Sequence, residues 1–331
     1  MDKVTINSLR ERAKANPKRI IFPEIKDERI KHAVEYIKRE KIAIPLFLSR
    51  ADAESYQKDI FANLLFEHKK KKGMTFEGAR ELMEDDLFYS AMMVRLGFAD
   101  GLVVGAAHST ASVMRAVLEC LDVDDRIKLI TSCFLMVIPN CNYGQEGMLV
   151  FADCGVIPSP TSEQLAKIAI ASSYFAQDIL EISPRVAMLS FSSKGSASNA
   201  DVEKVREAVE KARLLRNDIF IDGELQVDSA IVPEIASRKL KGSDVAGKAN
   251  ILIFPDLNSG NISYKLTERL ASARAIGPIL LGTVQPCCDL SRGCSVEDII
   301  DCTAITVIRA QKKSLSNPLI NLDKNYADTC F

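Results

Sequence analysis

Short apolar runs alternate with stretches of helical period along most of this chain. Strands are expected at residues 19–22, 42–48 and 101–104, with helices at 27–39, 75–83, 87–96 and 110–121. Residues 127–138 and 148–152 read as two further strands, joined by a glycine-containing connection at 143–147. Pro158 and Pro160 then lead into a helix at 162–175 that opens on a serine. The second half repeats the alternation, with strands at 186–189, 219–221, 251–254 and 278–281 and helices at 200–215, 262–271 and 296–310. The last helix carries Ile299, Ile300, Ala304, Val307 and Ile308 as its apolar positions.

Such alternation predicts βαβ units: a mostly parallel sheet with helices on both faces, an α/β architecture of three layers. Ligands of these sheets bind outside the carboxyl ends of the strands. Four loops take that position, at residues 105–109, 190–198, 255–260 and 282–292. A chain of 331 residues is long enough for two domains with substantial cores.

Composition narrows the function classes. A net charge of −1 argues against general nucleic-acid binding, which shows a basic excess. The lysine run 69–72 is a local exception, and such runs are usually solvated surface. The longest apolar stretch, residues 129–139, is too short to span a bilayer, so no membrane association is expected. Charges throughout residues 1–19 leave no apolar core for a secretory signal. Nine scattered cysteines, an odd number, argue for a reduced, cytoplasmic compartment. Adjacent Cys287 and Cys288 do not form a C-x-x-C pair, and His32, His68 and His108 are far apart in sequence. No metal and no bound cofactor are expected.

Residues 289–299 hold the densest chemistry: Asp289, Ser291, Arg292, Ser295 and Asp298 stand where a loop feeds the last helix. Ser295 is a natural N-cap with Asp298 three residues on, which is capping-box spacing. Asp298 can therefore be a cap or a reactive carboxylate. Ser291 and Arg292 lie outside the cap, and capping leaves them unexplained. The loop at 190–197 offers small residues and Lys194 to an anion. Residues 256–260 precede a helix whose free amides suit an anion, or which Asn258 caps.

These residues, together with blocks at 99–110, 151–154, 186–190, 221–226 and 245–260, resemble the phosphate acetyltransferases over residues 20–311. The resemblance implies two α/β domains with the active site in the cleft between them. Residues 1–124 and 279–331 would form the first, and 125–278 the second. It further implies a cytoplasmic homodimer that reversibly converts acetyl-CoA and phosphate into CoA and acetyl phosphate. Asp298 matches the family's catalytic aspartate, the base for the CoA thiol. Ser291 and Arg292 match its paired serine and arginine, which bind the thiol or thioester and the developing oxyanion. Arg115, following His108, Ser109 and Thr110, and Arg269 on the helix at 262–271 match phosphate and CoA positions.

Reference pKa values of about 8.5 for a thiol and 3.9 for aspartate leave that proton transfer uphill by about 6 kcal/mol. Burial of Asp298 is expected to narrow the gap. With no histidine near Ser291 in sequence, direct attack in a ternary complex is the simpler course than a covalent serine intermediate.

Departures from the family occur at four places. Lys69 stands where relatives carry a further cleft arginine, Ala116 replaces a proline, and Cys288 replaces an asparagine. The segment from about 48 to 63 is also short. Other functions are compatible with parts of the sequence. A phosphate butyryltransferase differs only in pocket shape. A β-decarboxylating dehydrogenase would need a nicotinamide site and an acidic metal cluster, for which Asp222 and Glu224 are too few. A silent acyl-CoA sensor would have no reason to keep Ser291, Arg292 and Asp298 together.

Overall fold

Short polar side chains set where most helices begin in the computed structural model, which describes residues 5–48, 55–240 and 242–316. Thr5, Asp27, Thr75, Asp85, Ser109, Thr161, Asn199 and Asp256 each accept a backbone N–H of the first turn. Each bond satisfies a donor that the helix itself cannot. Much of the segment expected to be short, residues 49–54, lies outside the described residues, as does the tail 317–331.

In chain order, α1 (Ile6–Ala15), β1 (Arg19–Ile21), α2 (Glu28–Arg39), β2 (Ile44–Leu46), α3 (Ser55–Lys69), α4 (Phe76–Leu82), α5 (Asp86–Arg95), β3 (Gly101–Val104) and α6 (Thr110–Cys120) come first. Next are β4 (Thr131–Val137), a distorted turn α7 (Tyr143–Glu146), β5 (Met148–Ala152), α8 (Ser162–Asp178), β6 (Arg185–Leu189) and α9 (Ala200–Leu215). They are followed by β7 (Phe220–Leu225), α10 (Val227–Ile231), α11 (Pro233–Lys239), β8 (Ile251–Ile253), α12 (Leu257–Leu270) and β9 (Arg274–Leu281). The last two are β10 (Cys287–Asp289) and α13 (Val296–Ser316).

The chain divides into two compact units, residues 1–122 with 283–331 and residues 123–282. In the first, the strands run β2–β1–β3–β10, all parallel. Helices α2 to α6 fill the connections, as parallel strands require a crossover. In the second, the order is β9–β4–β5–β8–β6–β7. There β4 pairs antiparallel with both β5 and β9, and the remaining pairs are parallel. The antiparallel pair β4–β5 follows from the short connection between them. β3 and β5 are buried along their whole length, as near-continuous apolar runs demand.

Helix α13 anchors the first unit. Ile299, Ile300, Ala304, Val307 and Ile308 are all almost fully buried. Each large one is worth about 1.5–3 kcal/mol in burial, and Ile308→Ala should cost about 2–5 kcal/mol. Arg10 of α1 docks on the same helix, its Nη2 2.6 Å from Glu297 and its Nε 2.6 Å from Asp301.

The structure departs from the sequence expectations in a few places. Residues 282–292 are not one loop, because β10 lies inside them. Helix α12 starts five residues before the expected 262, capped by Asp256 and not by Asn258. Helices α1 and α3 were not expected, and residues 127–130 precede β4 instead of forming its start. No helix among the described residues is long and apolar enough to cross a membrane.

Candidate active site

Within the first unit, β3 and β10 lie side by side with Val104 opposite Asp289. The loops that leave these two residues therefore start next to each other at the carboxyl ends of parallel strands, where ligands of such sheets bind. Leu290 N–H donates to the Val104 carbonyl at 2.5 Å and fixes the junction. Gly105 has φ +113°, and a Cβ there would come within 2.4 Å of Leu290 O and 2.5 Å of Asp289 Oδ1. Only glycine fits.

The loop after β3 is wrapped around an acid supplied from elsewhere. Glu24, 6% exposed, accepts the N–H groups of Gly105 (2.9 Å), Ala106, Ala107 and His108 (2.8 Å each). His108 Nδ1 lies 2.6 Å from the same carboxylate. Arg29 then ties this loop to the one after β10. Its Nη2 donates to Ala106 O at 2.9 Å, and its Nη1 donates to Arg292 O at 2.8 Å and Cys294 O at 3.0 Å. Asp27 fixes the guanidinium from behind at 2.7 Å. Neither Glu24 nor Arg29 carries a sequence signal beyond a charged residue just after β1, so both escaped the sequence reading.

The β10–α13 loop holds Ser291 and Arg292 open to solvent. Cys294 N–H donates to Ser291 O at 2.9 Å, making a tight turn, and Ser291 Oγ accepts from Gly293 N–H at 3.2 Å. The Arg292 backbone is clamped by Arg29 while its guanidinium is exposed and has no partner among the described residues.

Asp298 forms the capping box that its spacing allows. Asp298 Oδ2 accepts both the N–H and the hydroxyl of Ser295 at 2.8 Å, and Ser295 Oγ accepts Asp298 N–H at 3.2 Å. Both bonds fall on one oxygen, which leaves Oδ1 without a partner among the described residues. Cap and reactive carboxylate are thus compatible. Asp298 is half-buried.

The other expected residues fall into three groups. Ser109 caps α6, accepting Ser112 N–H at 3.2 Å, and Thr110 begins the helix, exposed. Arg115, also exposed, lies over the Phe88 ring at 5.6 Å. Arg269, in the second unit, is 79% exposed on α12 and its Nε lies 3.7 Å from Glu268. Lys69 has a structural role instead. It is 5% exposed, and its Nζ donates to Leu118 O at 2.6 Å with Glu119 at 3.9 Å. Burial pushes its pKa down. Leu118 lies eight residues along α6 from Thr110, about 12 Å, so Lys69 serves the far end of that helix. In this structure Lys69 is buried against the far end of α6, on Leu118 O.

In the second unit the loop after β6 is closed upon itself. Glu224 accepts Ser192 Oγ at 2.9 Å, Gly195 N–H at 2.8 Å and Arg206 Nε at 3.0 Å. Despite burial, these donors, Arg206 foremost, hold its carboxyl down at about 2. Lys194, offered to an anion on sequence grounds, pairs with Asp222 and donates to Gly223 O at 2.9 Å. A cavity of about 700 Å³ in this unit is lined by Lys194, Arg213, Arg216, Asp222 and Ser243. Each of its three cations is paired with an acid, Lys194 and Arg213 with Asp222 and Arg216 with Asp218. No group of His, Cys, Asp or Glu among the described residues could hold a metal ion. The eight described cysteines are free, and burial pushes the Cys120 and Cys294 thiols up to about 12.

Residues 4–307 match the model of the family described as Phosphate acetyl/butaryl transferase. The chain belongs to this family. It is 46% identical over 325 residues to Phosphate acetyltransferase of Thermoanaerobacterium thermosaccharolyticum, covering 92% of this chain and 99% of that one. It is 48% identical over 320 residues to Phosphate acetyltransferase of Acetivibrio thermocellus, covering 91% and 96%. Among solved structures, a phosphotransacetylase from Streptococcus pyogenes superposes with a TM-score of 0.85 at 38% identity, over 94% of this chain and all of that one.

Proposed function

We infer that this enzyme transfers an acetyl group between CoA and phosphate: acetyl-CoA plus phosphate gives CoA plus acetyl phosphate, reversibly. The observation that carries the assignment of roles is the β10–α13 loop. It presents, within eight residues and on a backbone held by Arg29, a hydroxyl, a guanidinium and a carboxylate oxygen, the last two without a partner among the described residues.

In the direction of acetyl-CoA synthesis, Asp298 Oδ1 takes the proton of the CoA thiol. The thiolate attacks the carbonyl carbon of acetyl phosphate. Ser291 orients the sulfur, and Arg292 stabilises the oxyanion, an effect of about 3–4 kcal/mol for a well-placed donor. The carbon–oxygen bond to phosphate then breaks, and phosphate leaves toward Arg115 of α6 in the same unit. Arginine suits that role because its fork makes two parallel charge-assisted bonds. Transfer is direct, within a ternary complex. The buried, high-pKa thiols of Cys120 and Cys294 offer no competing nucleophile.

A coupled assay of phosphate with acetyl-, propionyl- and butyryl-CoA tests the reading. The expected order of kcat/KM is acetyl above propionyl above butyryl. A preference for butyryl-CoA would make the enzyme a butyryltransferase, and no phosphate-dependent CoA release would remove the assignment. The resemblance also carries a homodimer, which light scattering of the purified chain checks directly.

A further inference from the structure

Five buried acids among the described residues are matched by donors, Asp301 by Arg10 among them. Glu24 has the four amides of the β3–α6 loop, and Glu224 has Arg206 and Ser192. Asp222 has Lys194 and Ser243. Asp153 accepts Thr131 and Ser132 hydroxyls and the amides of Gly155, Val156 and Ile157. Asp289 is the contrast. It is 0% exposed, and both carboxyl oxygens are buried with no hydrogen-bond partner among the described residues.

Its surroundings are specific. Asp289 ends β10 beside Gly105, and the loop bearing Ser291 and Arg292 begins two residues later. The Thr110 hydroxyl at the start of α6 approaches it without reaching hydrogen-bond geometry.

No cation among the described residues bonds Asp289: Arg292 is exposed to solvent, and Arg115 of α6 lies over the Phe88 ring. On α2, Arg29 is held by Asp27; on the β3–α6 loop, His108 is on Glu24. On α13, Arg309 donates to Cys287 O, while Asp301 is paired with Arg10 and Asp298 with Ser295. The neighbouring Glu24 carboxylate acts on Asp289 with the same sign of charge. An ionised carboxylate in such a place has neither donors nor a counter-charge.

We propose that Asp289 is a positioning residue that works as a neutral acid, an uncharged carboxyl against which the Gly105 turn leading to α6 and the Ser291–Arg292 loop can pack closely. The inference rests on the acetyl-transfer reading given above. Loss of the Asp289 proton places a second negative charge beside Glu24, between two loops that must receive phosphate. Phosphate affinity then falls, while bond-making by Asp298 and Arg292 is not directly touched. Burial, opposed by Thr110 and reinforced by Glu24, pushes the carboxyl up to about 7, so the proton is lost within the working range of an enzyme.

The test compares wild type with Asp289→Asn, which is fixed in the neutral form. The kcat/KM for phosphate is measured across pH, and the ratio of variant to wild type is taken at each pH. That ratio cancels the titration of phosphate and of the CoA thiol. It should be flat on the acid side and rise about tenfold per pH unit above neutrality, through KM and not kcat. Thr110→Val should shift the break in the wild-type profile to higher pH, since the Thr110 hydroxyl pulls the carboxyl's pKa down.

A ratio flat at all pH overturns the proposal, as does a folded Asp289→Asn protein without activity. Should that variant not fold, infrared difference spectra of the wild type across neutrality decide. A protonated-carboxyl band that disappears as pH rises supports the proposal, and its absence overturns it. If the wild type transfers no acetyl group to phosphate, the functional reading fails on its own, and the infrared result still settles where the Asp289 proton is.

Discussion

The loops after β6 and after β10 are made of similar material, small residues with serines and one cation, and they end up with opposite uses. In the second unit, Ser192, Gly195 and Lys194 are drawn onto Glu224 and Asp222. In the first, the Ser291–Arg292 turn has no internal acid to satisfy. Its backbone is held by Arg29 while the guanidinium stays free among the described residues. The availability of donors to a ligand thus depends on whether the fold supplies a carboxylate of its own. Loop composition alone does not reveal it.

The largest effect that could break this contrast is on turnover. Asp298→Asn should lower kcat by about 10²–10⁴-fold, the usual range for a lost general base. KM for CoA should change little, and the melting temperature should hold because asparagine remains an acceptor for Ser295. Steady-state kinetics with thermal melts decide it; unchanged kcat would leave Asp298 as a cap alone.

Next comes Arg292→Leu, expected to lower kcat by about 10²–10³-fold. Its effect on stability should stay within about 0.5 kcal/mol, since the side chain is exposed. A comparable loss of both quantities would mean that Arg292 supports the loop and not the reaction.

The closed loop predicts the reverse pattern. The carboxyl of Glu224 sits at about 2 in the folded chain, below its ordinary 4.5. The folded state therefore binds its proton less readily than the unfolded state. This group's stabilisation, about 3 kcal/mol, is complete above the unfolded value and disappears as pH falls from about 5 to 2. Urea unfolding of Glu224→Gln should lack that part of the acid dependence. An identical acid dependence in variant and wild type would show that the Arg206–Glu224 contact contributes nothing to folding.

The smallest kinetic effect belongs to Lys69. Lys69→Arg should leave KM for phosphate within about twofold and instead cost about 1–3 kcal/mol of stability, as a larger head group is forced into a filled site. A severalfold drop in KM would return Lys69 to the site, despite its present bond to Leu118 O.

Much of this was legible in one dimension. Helix and strand periods and the cap spacing of Ser295 and Asp298 are local properties. They depend on neighbours a few residues apart, and the structure holds them close to where the periodicity put them. The β10 strand was hidden because three residues with two cysteines make no periodic signal. The helix at 257–270 was started late because its first turn holds polar and glycine residues that read as a loop.

The tertiary structure alone decided the environments of the acids. Glu24 reaches amides 81 to 84 positions away, and Arg29 grips carbonyls from two separate loops. Asp289 has no hydrogen-bond partner among the described residues. The physical reason is range. Secondary structure follows from short-range sterics and hydrogen bonds written into adjacent residues, whereas the state of a buried charge is a balance of desolvation and distant partners. That balance is set only when strands far apart in sequence come to lie side by side.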